Sequence, residues 1–123
     1  EFGGFGCAEA VHSALEQIFP EYGLTYRRSF YFPTIGQYAP LLERQGLRVE
    51  LALLFDRPTP QKPGSGVREW IEMFLIKPFE GVEEKTKDLI LRETEDRLRG
   101  RLLVNGTWFI DYVRIRLRAR RIS

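Results

Sequence analysis

The sequence predicts an α/β fold with about four helices, an antiparallel strand pair and a hairpin at an Asn-Gly turn. Three observations carry that prediction. Apolar residues recur at helical spacing in Ala8, Val11, Ala14, Leu15, Ile18 and Phe19, and again in Val67, Trp70, Ile71 and Phe74. Alternation of period two runs through Leu47, Val49, Leu51, Leu53 and Phe55, and returns in Val113, Ile115, Leu117 and Ala119. Between Leu102-Leu103-Val104 and Trp108-Phe109-Ile110 stands Asn105-Gly106, whose backbone freedom suits a tight hairpin turn.

The elements follow in order. The first helix spans residues 8–19 and stops before Pro20. An aromatic-rich connector holds Tyr22, Tyr26, Phe30, Tyr31 and Phe32. A second helix has Thr34 or Gln37 near its start, Tyr38, Leu41 and Leu42 facing inward, and Gly46 as its C-terminal cap. Because Pro40 costs about 3 kcal/mol in a helix interior but little in a first turn, the regular helix is expected from Gln37. The strand at 48–55 is expected to bury one face, with Arg48, Glu50 and Ala52 on the other. Residues 57–66, with three prolines and two glycines, read as a loop. A helix from Val67 stops at Lys77 before Pro78, and a charged helix covers residues 83–99, with Leu89, Ile90 and Leu98 among its few apolar positions. The last strand, about 108–119, alternates its apolar residues with Arg114, Arg116, Arg118 and Arg120. Glu50 is expected beside Arg116 or Arg118 if the two long strands pair antiparallel.

Composition narrows the function. The 123 residues make at most one domain, and 43% apolar content is that of a folded chain. A net charge of +2 gives little whole-molecule attraction to nucleic acid or an anionic membrane. One cysteine, Cys7, excludes an internal disulfide and is compatible with a reducing compartment. No apolar run approaches the roughly 18–20 residues a spanning helix needs. Cys7 and His12 fall short of a metal set of about four N/S ligands, so no metal is implied.

Several groups could carry chemistry. Gly3-Gly4-Phe5-Gly6 precedes a helix, where backbone N–H groups favour anions, but it matches no phosphate-binding glycine pattern and a plain turn suffices. Arg57, at a strand exit stiffened by Pro58, suits a bidentate carboxylate clamp or a turn pair with Asp56. Tyr31, Trp70 and Tyr112 could line a small-molecule pocket, whereas Phe74 reads as core. The arginine strand with Trp108 and Phe109 could grip an anionic backbone, or be a solvated face paired with Glu50 and the acids of helix 83–99.

In order and spacing, Tyr31-Phe32-Pro33-Thr34-Ile35-Gly36-Gln37-Tyr38, Leu41-Leu42-Glu43-Arg44-Gln45-Gly46-Leu47, Leu54-Phe55-Asp56-Arg57-Pro58-Thr59-Pro60 and Trp108-Phe109-Ile110-Asp111-Tyr112 resemble the C-terminal part of class I S-adenosylmethionine-dependent methyltransferases of the trans-aconitate methyltransferase-like group. The resemblance implies a Rossmann-like sheet in which Glu1-Phe2-Gly3-Gly4 ends the fifth strand, residues 48–55 are the sixth and 108–119 the antiparallel seventh. Residues 1–123 would then be a single partial domain, with residues 7–32 and a helical insertion at 62–100 covering the substrate side. It implies a small-molecule acceptor, with a carboxylate among the candidates, bound by Tyr31, Arg57, Trp70 and Tyr112. Gly3 and Gly4 would lie at the margin of the cofactor site.

The glycine-rich loop and acidic ribose partner of the family have no counterpart here, so S-adenosylmethionine belongs to the parent protein and none is expected on this chain. The catalytic residues are not legible. The implied partners are the missing N-terminal half of the domain and, for the isolated chain, a second copy, with no membrane. The implied location is cytoplasmic. A reading of another class is a standalone anion- or nucleic-acid-binding module built on the arginine strand.

Overall fold

The computed structural model describes residues 1–122. Its elements are β1 (Phe2–Gly3), α1 (Glu9–Ile18), α2 (Ile35–Arg44), β2 (Leu47–Pro60), α3 (Val67–Phe74), α4 (Glu84–Leu102), β3 (Leu103–Val104) and β4 (Thr107–Arg121), with short 3-10 turns at Phe19–Tyr22 and Lys77–Phe79. The class is α/β, with four helices and a four-stranded antiparallel sheet. No helix among the described residues is long and apolar enough to cross a membrane.

The chain divides into two compact units. The sheet unit takes Glu1–Cys7, Tyr31–Pro58 and the residues from Tyr112 on; the helical unit takes Ala8–Phe30 and Thr59–Asp111. The expected insertion at 62–100 lies within the helical unit, which also contains residues 8–30.

In the sheet, β4 lies between β1 and β2. β1 runs antiparallel to it, Phe2 opposite Ile115 and Gly3 opposite Arg114, and the Gly4 N–H donates to the Val113 carbonyl at 2.9 Å. On the other side the Ile122 N–H donates to Gly46 O at 3.1 Å, and the Gln61 N–H to Trp108 O at 2.8 Å, so β2 and β4 run in opposite senses. From the first bond to the second β2 advances 15 residues and β4 only 14. β2 therefore carries one extra residue, a β-bulge that bends the strand and shifts its phase.

The bulge corrects the expected alternation. Glu50 faces the arginines, bonding Arg120 at 2.8 Å with Arg118 at 3.7 Å. Yet Phe55, expected on the opposite face, lies under the Arg116 guanidinium at 5.3 Å. Leu54 instead sits with Gly4 and Ile115, where a Cβ on Gly4 would fall 2.5 Å from Leu54 Cδ1. The expected buried face of β2 is also absent, since none of its residues is buried.

Two further boundaries differ from expectation. β2 continues through Pro58-Thr59-Pro60, assigned to a loop from the sequence, because it is an edge strand, where proline's missing N–H costs no ladder bond. α2 starts at Ile35, before Gln37, since Thr34 caps it. The Gln37 N–H donates to Thr34 Oγ1 at 3.2 Å, and the Thr34 N–H to Gln37 Oε1 at 2.9 Å. Pro40 thus lies inside the helix, opposite Gly36 one turn back, and α2 buries no residue.

The helical unit holds the core. α1 and α3 both pack on α4. α1 contributes Val11, Leu15 and Ile18, α3 Val67, Trp70 and Ile71, and α4 Ile90, Leu91, Leu98 and Leu102. Thr94 is buried on the same face of α4, its hydroxyl donating to the Ile90 carbonyl at 2.7 Å. Leu89, another of the few apolar residues of α4, is 43% exposed.

Candidate functional site

At the exit of β2 and the entry of β4, within the helical unit, lies a cleft of about 570 Å3. Its wall is the Gln61–Gly66 loop, joined by Glu69 of α3, Glu95 of α4, Leu103, and Gly106 to Trp108 at the hairpin. Three prolines stiffen the approach to this loop and its first turns, and the Gly66 N–H donates to Glu69 Oε1 at 2.6 Å, fixing the start of α3. Gly66 is required there: a Cβ would stand 2.6 to 3.0 Å from three atoms of the Trp108 indole. The Arg99 guanidinium lies 5.9 Å from the Trp108 ring centroid. The indole is thereby wedged, with Lys62, Glu69 and Glu95 as polar groups around it. That set can hold and orient a polar ligand. It contains no nucleophile backed by a base and an orienting third group.

Asp111 is the second notable group of this unit. Its Oδ2 accepts from the Ala10 N–H at 2.8 Å, and its backbone carbonyl accepts from the Ala8 N–H at 2.9 Å. It replaces a side-chain cap for α1, whose preceding residue Ala8 is in the left-handed region at φ 54°. Asp111 Oδ1 is sealed from solvent without a hydrogen bond. Burial pushes the Asp111 carboxyl above its usual range, opposed by the Ala10 hydrogen bond.

The residues singled out from sequence are distributed over both units. Tyr31, Arg57, Tyr112, Gly3 and Gly4 belong to the sheet unit, and Trp70 to the helical unit. Tyr31 is 61% exposed and Tyr112 half-buried. Trp70 is a core residue, 8% exposed, with Phe74 at 5.3 Å between ring centroids. Phe74, expected in the core, is half exposed, because it falls on the last turn of a short helix. Arg57 forms its ion pair with Glu1 at 3.0 Å, and Glu1 also binds Arg116 at 2.6 Å and Arg114 at 3.3 Å. These hydrogen bonds, that of Arg116 foremost, lower the Glu1 pKa. Sequence reasoning missed this cluster because Glu1 and Arg116 are far apart in the chain.

Gly3 and Gly4 do not line an open cradle. A Cβ on Gly3 would fall 2.7 Å from the Phe32 ring, and Gly4 is buried against Leu54 and Ile115. Their smallness answers to internal packing against Phe32, Leu54 and Ile115. The cleft at Trp108 was missed as a site. The signal for it was the proline- and glycine-rich stretch placed where a strand ends, since open α/β sheets bind ligands beyond strand ends. Comparison with models of known protein families gives no match, and comparison with curated proteins gives none.

Proposed function

We propose that this chain is the C-terminal portion of a class I S-adenosylmethionine-dependent methyltransferase, supplying the sheet edge and substrate cover for a small-molecule acceptor. The observation that carries the reading is the strand order. The last strand is antiparallel and interior, with the β1 remnant on one side and β2 on the other. That is the placement the resemblance requires of a seventh strand beside a fifth and a sixth. The partition adds support, because residues 8–30 and 59–111 form a unit of their own where the family places substrate-side insertions. The cytoplasmic location and the carboxylate acceptor belong to the same reading.

Under this reading the chain's own residues bind and orient the acceptor, and holding it in line with a methyl donor is a large part of such catalysis. The cleft bounded by Gln61, Lys62, Glu69, Glu95 and Trp108 is the place for this, with Lys62 as the cation for an acceptor carboxylate. S-adenosylmethionine would supply the methyl group from a site built by the remainder of the domain.

The test is calorimetric titration of S-adenosylmethionine into this chain and into the product that includes the residues encoded upstream of Glu1. Micromolar binding by the longer product alone is expected; a longer product without affinity overturns the reading. The alternative of a nucleic-acid module on the arginine strand draws less support, since Glu1 and Glu50 pair with four of its arginines.

A further inference from the structure

A second cleft in the helical unit has a different chemistry. Residues 24–33 form a connector without helix or strand, in which Thr25 and Arg27 are exposed and Tyr26 between them is buried. Tyr26 packs edge-on against Phe19, ring centroids 5.1 Å apart, and its hydroxyl lies 2.7 Å from His12 Nδ1 in a hydrogen bond. Phe19 also packs edge-on against Phe79 at 5.2 Å, which anchors the Lys77–Phe79 turn. One aromatic cluster thus holds two distant chain segments side by side. Between them is a cleft of about 410 Å3 lined by Thr25, Arg27, Arg28, Ser29, Lys77 and Pro78.

No carboxylate lines this cleft. Arg28 is committed elsewhere, forked onto Glu9 at 2.6 and 2.8 Å and onto Glu16 at 2.7 and 3.1 Å. Arg27 and Lys77 form no ion pair among the described residues; Lys62, Lys85, Lys87 and Arg101 of the same unit form none either, but Arg27 and Lys77 line one cavity that has no carboxylate in its wall. Two cations left facing one cavity repel each other, and an anion between them reverses the sign of that interaction. The anchoring of Tyr26, Arg28 and Phe79 fixes the backbone on both sides, so little ordering is needed on binding.

We propose that this cleft binds a small anion bearing a carboxylate or phosphate group. Arg27 donates through its planar fork and Lys77 supplies a point charge, with the hydroxyls of Thr25 and Ser29 as further donors. The site stands apart from the methyl-transfer reading, because it needs neither a cofactor nor any residue outside this chain.

The test is NMR titration of the 15N-labelled chain at low ionic strength, with inorganic phosphate and with malonate in separate arms. Amide shifts at residues 25–29 and at Lys77 are expected to saturate with a Kd of about 1 mM or tighter. The arm that saturates at lower concentration identifies the preferred oxyanion. An Arg27→Gln/Lys77→Gln variant with an otherwise unchanged spectrum is expected to bind about tenfold more weakly, while Arg44→Gln, an exposed cation of α2, binds as before. Absent or non-saturating shifts in both arms, or equal weakening by Arg44→Gln, overturn the proposal.

Discussion

Among the described residues, every buried apolar side chain except Cys7, Pro33 and Ile115 belongs to the helical unit. The sheet unit satisfies its backbone through β1, β4 and β2, yet leaves Leu41, Leu51, Leu53 and Ile122 at 40% exposure or more. The helical unit packs three amphipathic helices around a shared interior, although Met73, Phe74 and Ile76 stay exposed at and just past the end of α3. The sheet unit has two edge strands and a helix with no buried residue. Backbone pairing can thus be extensive where hydrophobic burial is not, and only burial scales with the apolar area removed from water. A unit in the second condition is suited to packing against more protein.

The largest test of that contrast is self-association. If the open apolar surface of the sheet unit is covered by a second copy, sedimentation at micromolar concentration will give a dimer, which Leu53→Lys converts to monomer. Each buried Å2 contributes about 25 cal/mol, which has to exceed the cost of association, so on the order of 800 Å2 from each copy is needed. A monomer for the unaltered chain would show that the exposed leucines are tolerated as they stand.

Next in size is the asymmetry of truncation. Leu15→Ala, in the core of the helical unit, is expected to lose about 2–5 kcal/mol of stability in urea melts, and Leu53→Ala less than about 1 kcal/mol. Equal losses would erase the distinction between the units. Gly66→Ala tests the wedge at Trp108: its Cβ meets a rigid ring, so about 1–3 kcal/mol and a changed tryptophan fluorescence are expected.

Protonation sharpens the comparison on the helical side. Burial lowers the pKa of His12, which is 1% exposed, and the nearby Arg28 lowers it further, while Glu9 and Glu16 act in the opposite sense. The unfolded chain therefore takes up this proton first. The contribution is fully present above the unfolded pKa of about 6.5 and is lost as pH falls from there toward the lower folded value. His12→Gln should flatten that limb of a stability-against-pH curve. Glu9, held at about 2 chiefly by its hydrogen bonds from Arg28, adds a second loss as pH falls below 4.5 toward 2. The smallest effect is expected from Arg120→Gln in the sheet unit, about 0.5 kcal/mol or less, because its bond to Glu50 is solvent-exposed.

Much of the local structure was legible because it follows from neighbours in the chain. The 3.6-residue spacing marked α1 and α3, Asn105-Gly106 marked the turn between β3 and β4, and Gly46 the end of α2. The pairing of Glu50 with Arg118 followed from antiparallel alternation, although Arg120 is the closer partner. The start of α2 was displaced because the Thr34–Gln37 capping box outweighed the preference of Pro40 for a first turn. The candidate site was less legible. No local pattern brings Gly66, Glu69 and Glu95 to Trp108, since their meeting depends on the placement of two helices.

By itself, the sequence determined the α/β class, the buried face of α1, the hairpin and the presence of two long strands, since periodicity and turn chemistry act over a few residues. Tertiary structure alone decided that β2 carries a bulge, that Pro58 and Pro60 remain in a strand, and that Glu1 collects three arginines. It also decided that Arg27 and Lys77 share a cleft without an acid. Each of these depends on which segments lie side by side, and that is set by the packing of Phe19 with Tyr26 and Phe79, and by β4 pairing on both its edges. Contacts of that kind join residues far apart in the chain, where no spacing rule reaches.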